Sequence, residues 1–380
     1  MSANSVTAAK TIKPEPDDLR FMRQALDLAQ RGLGTTWPNP SVGCVLVRDG
    51  TVVGRGWTKP GGRPHAEAEA LARAGANAKG ATAYVTLEPC SHVGRAEPCA
   101  DALIAAGIVR CVVGIGDPDP RVGGDGFAKL RAAGIAVIDG VLAEEAGHVT
   151  GPFLSRVLLG RPLFTAKLAT SLDGRIATHN GDSKWITGEA ARARTHLMRA
   201  IHDAVMVGST TAAMDNPELT CRLPGYDGRP RVRIVADGHL RLPLTSILVR
   251  SAAALPTWIL TRPNVPAERA QAYRDAGVEI INLPVGAGGH LDLRAAGQAL
   301  AGRGLTSVLV EGGGGLIASL LRAGMVDRLA WFRSGLTIGG DGVAGIAPLG
   351  IQRLAAAARW RRLTLETIGD DVLEVLARAD

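Results

Sequence analysis

The sequence predicts an α/β protein with two domains in tandem, and three observations carry that expectation. Short apolar, β-rich runs alternate with segments whose apolar residues recur at helical spacing, and they do so in both halves of the chain. A chain of 380 residues exceeds what one ordinary core organises. Between the two halves, Gly147, Gly151, Pro152, Gly160 and Pro162 cluster as a linker would. The expected layout is a flexible tail over 1–17, a first domain over 18–147, a linker over 148–161 and a second domain over 162–380.

In the first half, Asp17 and Asp18 are expected to cap a helix carrying Leu19, Met22, Leu26 and Ala29, stopped at Gly32 and Gly34. Val42 to Val47 reads as a strand, Asp49-Gly50 as a hairpin turn and Val52-Val53 as the returning strand. A Gly/Pro-rich loop then delivers His65 to a helix running through Leu71 and Ala74. Ala83 to Leu87 is a buried strand ending at Glu88-Pro89-Cys90, and Cys99 opens another helix. Arg110 to Ile115 is the next strand; Asp117-Pro118-Asp119-Pro120, a helix near Phe127 to Ala133 and a short strand at Ala136 to Ile138 complete the domain.

The second half restarts with a strand at Leu163 to Leu168 and a helix from Glu189 to about His202. Strands follow at Ala204 to Val207, Val232 to Val235, Thr257 to Leu260, Val278 to Ile281 and Ser307 to Val310. The last runs into Glu311, the glycines Gly312 to Gly315, and a helix through Leu320 and Leu321. Strand, glycines and helix in that order let a backbone approach a phosphate and offer it a helix N-terminus. A glycine run is also compatible with a flexible turn, and this one lacks the dinucleotide G-x-G-x-x-G pattern. On spacing alone, Lys167, Asp173, Asp215 and Arg222 are ordinary solvated or capping charges.

Composition narrows the class. The hydrophobic share of 46% fits a globular protein and excludes disordered and fibrous chains. No apolar run approaches the roughly 20 residues of a spanning helix. Residues Met1 to Asp18 are polar, with two prolines, and read as a loose tail in preference to a signal peptide. Five cysteines, an odd number, fit a reducing cytoplasm better than a disulfide framework. The formal charge of +7 invites a nucleic-acid partner, but aromatics at 4% leave few stacking platforms, and phosphorylated small molecules explain the same excess.

The chemistry concentrates at His65-Ala66-Glu67, Pro89-Cys90 and Cys99. One imidazole and two thiolates are a zinc donor set, and a catalytic zinc keeps its fourth position for water, whose pKa it lowers to about 7. Glu67, two residues past the histidine, is placed to handle protons without being a ligand. The pattern H-x-E followed by P-C and a second cysteine is the signature of zinc deaminases. A structural zinc would need a fourth protein ligand, which His92 could supply, but it would leave Glu67 and the Pro-Cys turn unexplained. Cys44 and Cys111 fall in apolar strands as core residues, and Cys221 falls in a loop.

Several ordered motifs resemble one family. Asn39-Pro40-Ser41-Val42-Gly43, His65-Ala66-Glu67, Thr86 to His92 and Gly94-Arg95 to Pro98-Cys99 resemble the bacterial bifunctional riboflavin-biosynthesis deaminase/reductases. Eight residues separate the two cysteines, as in that family, where general nucleoside deaminases have two. Lys167 to Ala177, Ser183 to Thr187, Asp215 to Arg222 and Val310 to Gly313 resemble its reductase half. The resemblance implies a cytidine-deaminase-like three-layer α/β/α domain followed by a dihydrofolate-reductase-like α/β domain. It also implies Zn2+ and NADPH as cofactors and a phosphorylated pyrimidine as substrate.

Carried over residue by residue, the resemblance makes His65, Cys90 and Cys99 the metal ligands and Glu67 the catalytic acid/base. Ala169, Trp185, Thr211, Asp215 and the segment Gly313, Gly314, Gly315, Leu316, Ile317, Ala318, Ser319 fall at NADP-binding positions. Ser183, Arg199, Leu219, Arg222 and Glu311 fall at substrate positions, with the arginines as a 5'-phosphate clamp and Lys167 as a cation beside the ribose. A cytoplasmic homo-oligomer without nucleic-acid or membrane partners is expected. The chain departs from the family pattern at Ala96-Glu97, in place of Thr-Pro, and at Ser334-Gly335, in place of Ala-Pro. Two other readings use the same residues: a nucleic-acid-editing deaminase with an RNA-binding appendage, and a zinc-stabilised scaffold without activity. The cysteine spacing and the lack of a Lys/aromatic patch oppose the first, and Glu67 opposes the second.

Overall fold

The computed structural model describes residues 14–92, 97–119, 123–226, 231–286 and 288–379. Gly94, Arg95, Ala96 and Pro120, named above, and the tail through residue 13 lie outside the described residues. Contacts divide the chain into one unit comprising residues up to Gly32 with Asn39–Gly151, and a second comprising Leu33–Pro38 with Pro152–Asp380. Among the described residues, no helix is long and apolar enough to cross a membrane.

The first unit contains α1 (Pro16–Gln30), β1 (Gly43–Arg48), β2 (Thr51–Trp57), α2 (Ala66–Ala74), β3 (Thr82–Leu87), α3 (Cys99–Ala105), β4 (Arg110–Ile115), α4 (Asp125–Ala132) and β5 (Ala136–Ile138). Its sheet runs β2-β1-β3-β4-β5, with β1 antiparallel to both neighbours and β3, β4 and β5 parallel. Phe21, Met22, Val45, Tyr84 and Val112 form the core beneath α1. The expected caps Asp17 and Asp18 lie inside α1, which Pro16 begins. Asp18 accepts the Glu15 N–H at 2.9 Å and, fully buried, takes a two-pronged hydrogen bond from Arg110 at 2.7 Å.

The division between the two units falls within the expected linker span, between Gly151 and Pro152, and the chain there is helical, not a loop. Residues Ala143–Leu159 form one helix, α5, with Pro152 inside it. Gly and Pro read as breakers, yet Glu144 and Glu145 favour the first turn electrostatically, and Phe153 and Ser155 are buried on the second half. Tertiary burial outweighs local propensity here.

The second unit contains β6 (Leu163–Thr170), β7 (Arg175–Ala177), α6 (Glu189–Ala200), β8 (Ala204–Gly208), α7 (Ser209–Asp215), β9 (Val232–Ala236), α8 (Ile247–Arg250), β10 (Thr257–Thr261) and α9 (Ala267–Asp275). It continues through β11 (Glu279–Asn282), α10 (Leu293–Gly302), β12 (Ser307–Val310), α11 (Gly314–Arg322), β13 (Arg328–Arg333), β14 (Val343–Ala344), β15 (Arg359–Ile368) and β16 (Asp371–Ala379). The nine-stranded order is β11-β10-β9-β8-β12-β6-β13-β16-β15, parallel from β11 to β13 and antiparallel beyond. The chain thus returns after β11 to insert β12 between β8 and β6. Such a reversal opens a crevice at the carboxyl ends of the strands, where open α/β sheets bind ligands. The residues after 345, to which the motifs assign no function, supply the hairpin β15–β16 that completes the sheet.

Candidate active sites

In the first unit, β3 ends at Leu87 and α2 starts at Ala66 with His65 as its N-cap. Gly62 in the preceding loop is required by closeness: a Cβ there would lie 1.9 Å from Asn39 Nδ2. His65 Nδ1 lies 3.3 Å from Cys99 Sγ and 3.7 Å from Cys90 Sγ, and the Cys99 N–H donates to Cys90 Sγ at 3.3 Å. All three donor atoms lie within 4.8 Å of one another. A tetrahedral zinc with ordinary Zn–N and Zn–S bonds needs N···S edges of about 3.5 Å, so the set fits the ion. Among the described residues the cluster holds these three alone, and His92 is exposed outside it. The structural-zinc reading therefore lacks its fourth ligand.

The electrostatics suit the same ion. The Cys99 thiol, His65 and the Cys99 backbone N–H hold the Cys90 thiol down at about 4, against its burial. Cys90 and burial push the Cys99 thiol up, so the pair favours one thiolate, and a divalent cation among them favours both. Glu67 is 4% exposed at the second position of α2. Burial raises its carboxyl pKa; His65 and a hydrogen bond with Cys99 oppose the shift. Cys44 and Cys111 are fully buried, as expected from their strands.

The motifs did not single out Glu88. It is buried at the end of β3 and accepts backbone N–H groups from Asp117 at 3.1 Å, Gly124 at 3.2 Å and Phe127 at 3.2 Å. It therefore ties the turn carrying Cys90 to the start of α4. Its place beside Pro89-Cys90 was the available signal.

In the second unit the crevice gathers Lys167 from β6, Glu311 directly after β12, and Arg199 from α6. Arg199 grips Glu311 through two hydrogen bonds of 2.6 and 2.8 Å and donates to the Thr220 carbonyl at 2.9 Å. The guanidinium fork of Arg199, one of the two arginines expected at the substrate phosphate, is thus paired with Glu311, itself expected at a substrate position. Arg222 stays exposed and pairs with exposed Glu218 at 3.3 Å. Burial raises and Arg199 lowers the Glu311 carboxyl, which ends below its usual range. Burial pulls half-buried Lys167 down. His196, three residues before Arg199 and so on the same helix face, takes the Arg222 N–H at 3.3 Å. That spacing was legible, and the residue was missed.

The glycine loop starts α11. Gly313 donates its N–H to Thr211 Oγ1 at 3.0 Å, which brings two expected cofactor positions together. A Cβ on Gly315 would meet nothing, so the start of α11 is open on the Gly315 side, while the backbone of Ala344 to Ala347 covers Gly314. Leu316 packs against the core, Ile317 and Ala318 are fully buried in it, and the Ser319 hydroxyl is turned back to the Gly315 carbonyl. Ala169 is half-buried on β6, two residues from Lys167 and on the same face. Asp215 is exposed at the end of α7, Leu219 is buried with a φ of +57°, and Ser183 is exposed. Trp185 is exposed, with the Arg192 guanidinium over its ring at 4.5 Å.

Asp173 proves more than a solvated charge. Its carboxylate accepts from Ser171 Oγ at 2.6 Å, Gly339 N at 2.7 Å and Ile338 N at 3.1 Å. Those three donors hold its carboxyl well below the usual range. The segment it fastens continues to Ala347, whose N–H donates to the Gly314 carbonyl at 3.1 Å. At the departure Ser334-Gly335, Ser334 N–H joins Thr170 at 2.9 Å and so keeps this segment against β6.

Fold and sites together define a zinc-dependent deaminase unit followed by an α/β reductase unit. Comparison with known proteins agrees in each half. Residues 15–115 match the cytidine and deoxycytidylate deaminase zinc-binding region, and residues 162–373 match the RibD C-terminal domain. The chain is 40% identical over 357 residues to the riboflavin biosynthesis protein RibD of Actinobacillus pleuropneumoniae, covering 94% of each. It is 40% identical over 367 residues to that of Escherichia coli, covering 93% of this chain and 98% of the relative. Acinetobacter baumannii RibD superposes with a TM-score of 0.82 at 35% identity, covering 96% of this chain and 99% of that one. A Thermotoga maritima diaminohydroxyphosphoribosylaminopyrimidine deaminase/5-amino-6-(5-phosphoribosylamino)uracil reductase superposes with a TM-score of 0.82 at 34% identity, covering 95% and 99%. The chain belongs to the RibD family of bifunctional riboflavin-biosynthesis enzymes, a hydrolase and an oxidoreductase on one polypeptide.

Proposed function

We propose that residues 18–147 deaminate 2,5-diamino-6-(5-phosphoribosylamino)pyrimidin-4-one and that residues 162–380 then reduce the ribosyl side chain of the product with NADPH. The final product is 5-amino-6-(5-phosphoribitylamino)uracil. The observation that carries the reading is the convergence of His65, Cys90 and Cys99 with buried Glu67 beside them.

His65, Cys90 and Cys99 hold zinc, which when bound supplies a Lewis acid that makes water nucleophilic at neutral pH. Glu67 takes one proton from the attacking water and gives it to the ring nitrogen, then takes the second from the resulting hydroxyl and gives it to the amine, which leaves as ammonia while the carbonyl forms. In the second unit, NADPH when bound supplies the hydride. The first turn of α11 receives its phosphates, and Thr211 fixes Gly313 in place. Lys167 and Glu311 face the ribose, and exposed Arg222 meets the substrate phosphate. The substrate is a small molecule, the enzyme is cytoplasmic and homo-oligomeric, and no nucleic acid or membrane takes part.

Incubating the zinc-loaded protein with the diaminopyrimidine phosphate tests both halves by product mass. Exchange of one amine for oxygen is expected without NADPH, and two added hydrogens with it. No further change on adding NADPH would remove the reductase assignment.

Asp173→Asn gives a finer test of the cofactor side. Weakening hydrogen bonds to a charged acceptor is expected to raise the KM for NADPH roughly tenfold. Deamination should be unaffected. An unchanged NADPH KM would show that the 338–347 segment does not shape the cofactor site.

A further inference from the structure

A pocket stands on the face of the first unit's sheet opposite the metal ligands. β2 is the edge strand, and its Gly54 and Gly56 turn toward α2, where a Cβ would lie 2.3 Å from Ala70 O or 2.2 Å from Ala66 O. Strand alternation therefore turns Arg55 and Trp57 to the other face. Gly43, paired with Trp57, marks that face as the one under α1, since its Cβ would lie 1.8 Å from Ala25 O. Asp27, Leu28 and Arg31 of α1, Arg55 and Trp57 of β2, and Arg73 reaching round the edge from α2 line a cavity of about 480 Å3. His65, Glu67 and Cys99 belong to α2 and α3 and take no part in it.

The lining sets the single carboxylate of Asp27 against the guanidiniums of Arg31, Arg55 and Arg73. Lys59 Nζ lies 3.5 Å from the centre of the Trp57 ring, with Arg31 Cζ at 5.2 Å and Arg73 Cζ at 5.4 Å. Cations this close repel one another within the ~10 Å screening length of moderate salt. Glu69 pairs with Lys59 and with Arg73, each at 3.3 Å. Arg31 and Arg55 form no ion pair among the described residues, although both border the cavity. Unpaired guanidiniums present forks that match phosphate oxygens, and the volume lies in the range of small-molecule sites.

We propose that this pocket binds a phosphorylated small molecule, its phosphate held by Arg31 and Arg55 and its remaining atoms seated along Trp57 and Leu28. The site shares no lining residue with the metal centre of the same unit.

The zinc-loaded full chain is titrated by calorimetry in phosphate-free buffer with ribose 5-phosphate and with inorganic phosphate, beside the R31Q/R55Q variant. The wild type should show one site that the variant lacks or binds at least tenfold more weakly, with both turnover rates and the melting temperature unchanged. Tighter binding of ribose 5-phosphate identifies an ester ligand, and equal binding identifies the free anion. Indistinguishable titrations of wild type and variant overturn the proposal. So does binding of a short single-stranded RNA when neither small anion binds. If the double variant melts early, R55Q alone must show the weakening.

Discussion

Glu67→Gln is expected to lower deamination by ~10²–10⁴-fold while zinc content and NADPH-dependent reduction stay at wild-type levels. The size follows from the role, because a positioned general acid/base is what the substitution removes. Gln has nearly the same shape and can still accept a hydrogen bond from Cys99, so the buried pocket is kept. It cannot take up a proton. Burial already raises the Glu67 carboxyl, which brings it nearer to the pH at which it would cycle. Metal analysis and two separate turnover assays provide the check. Deamination within a fewfold of wild type would sink the assigned role, and loss of zinc would make Glu67 a structural residue of the metal site.

Glu311→Ala is expected to destabilise the second unit by about 3–5 kcal/mol and to abolish reduction, with deamination retained. The Arg199 and Glu311 side chains are only 13% and 11% exposed, so truncating one leaves the other charged, buried and without its partner. The paired change Arg199→Met with Glu311→Leu should melt nearer to wild type than either single change, because both desolvation penalties then disappear together. The same pair sets an acid limit. The folded Glu311 carboxyl lies below its usual value, so its contribution is fully present above the unfolded pKa of 4.5 and is lost as pH falls through the lower folded value. Thermal melts across pH 3–6 of the wild type and Glu311→Ala should converge toward the acid end. Parallel curves would remove Glu311 from that account.

The metal site was legible because its information is local. His65 and Glu67 are fixed by one helix start, and the Pro-Cys turn and the start of α3 deliver the two sulfurs. The strand and helix alternation was legible for the same reason. What sequence reading missed is long-range. Asp173 looks like a turn residue until Ile338 and Gly339, some 165 positions away, bring their N–H groups to it. The partner of Arg199 is not visible in the sequence until β12 brings Glu311 against it across 112 positions. The helix over 143–159 was hidden by its glycines and Pro152, since local propensity does not register burial of Phe153. The strand Arg359–Ile368 was hidden by four arginine and glutamate side chains on an edge that faces water.

The placement of β12 also dictates an order of assembly. β6 and β8 flank it and never pair with each other, so a chain growing from its N-terminus holds both strands with open edges until Ser307–Val310 has been made. Until then four parallel strands can stack from β8 outward, and β6 has no partner in that layer. Lys167 and Gly208 therefore come into register only when Glu311 arrives with the closing strand. A chain stopped short of residue 307 would expose both edges of β6 and the inner edge of β8 to its neighbours, the circumstance in which sheets aggregate.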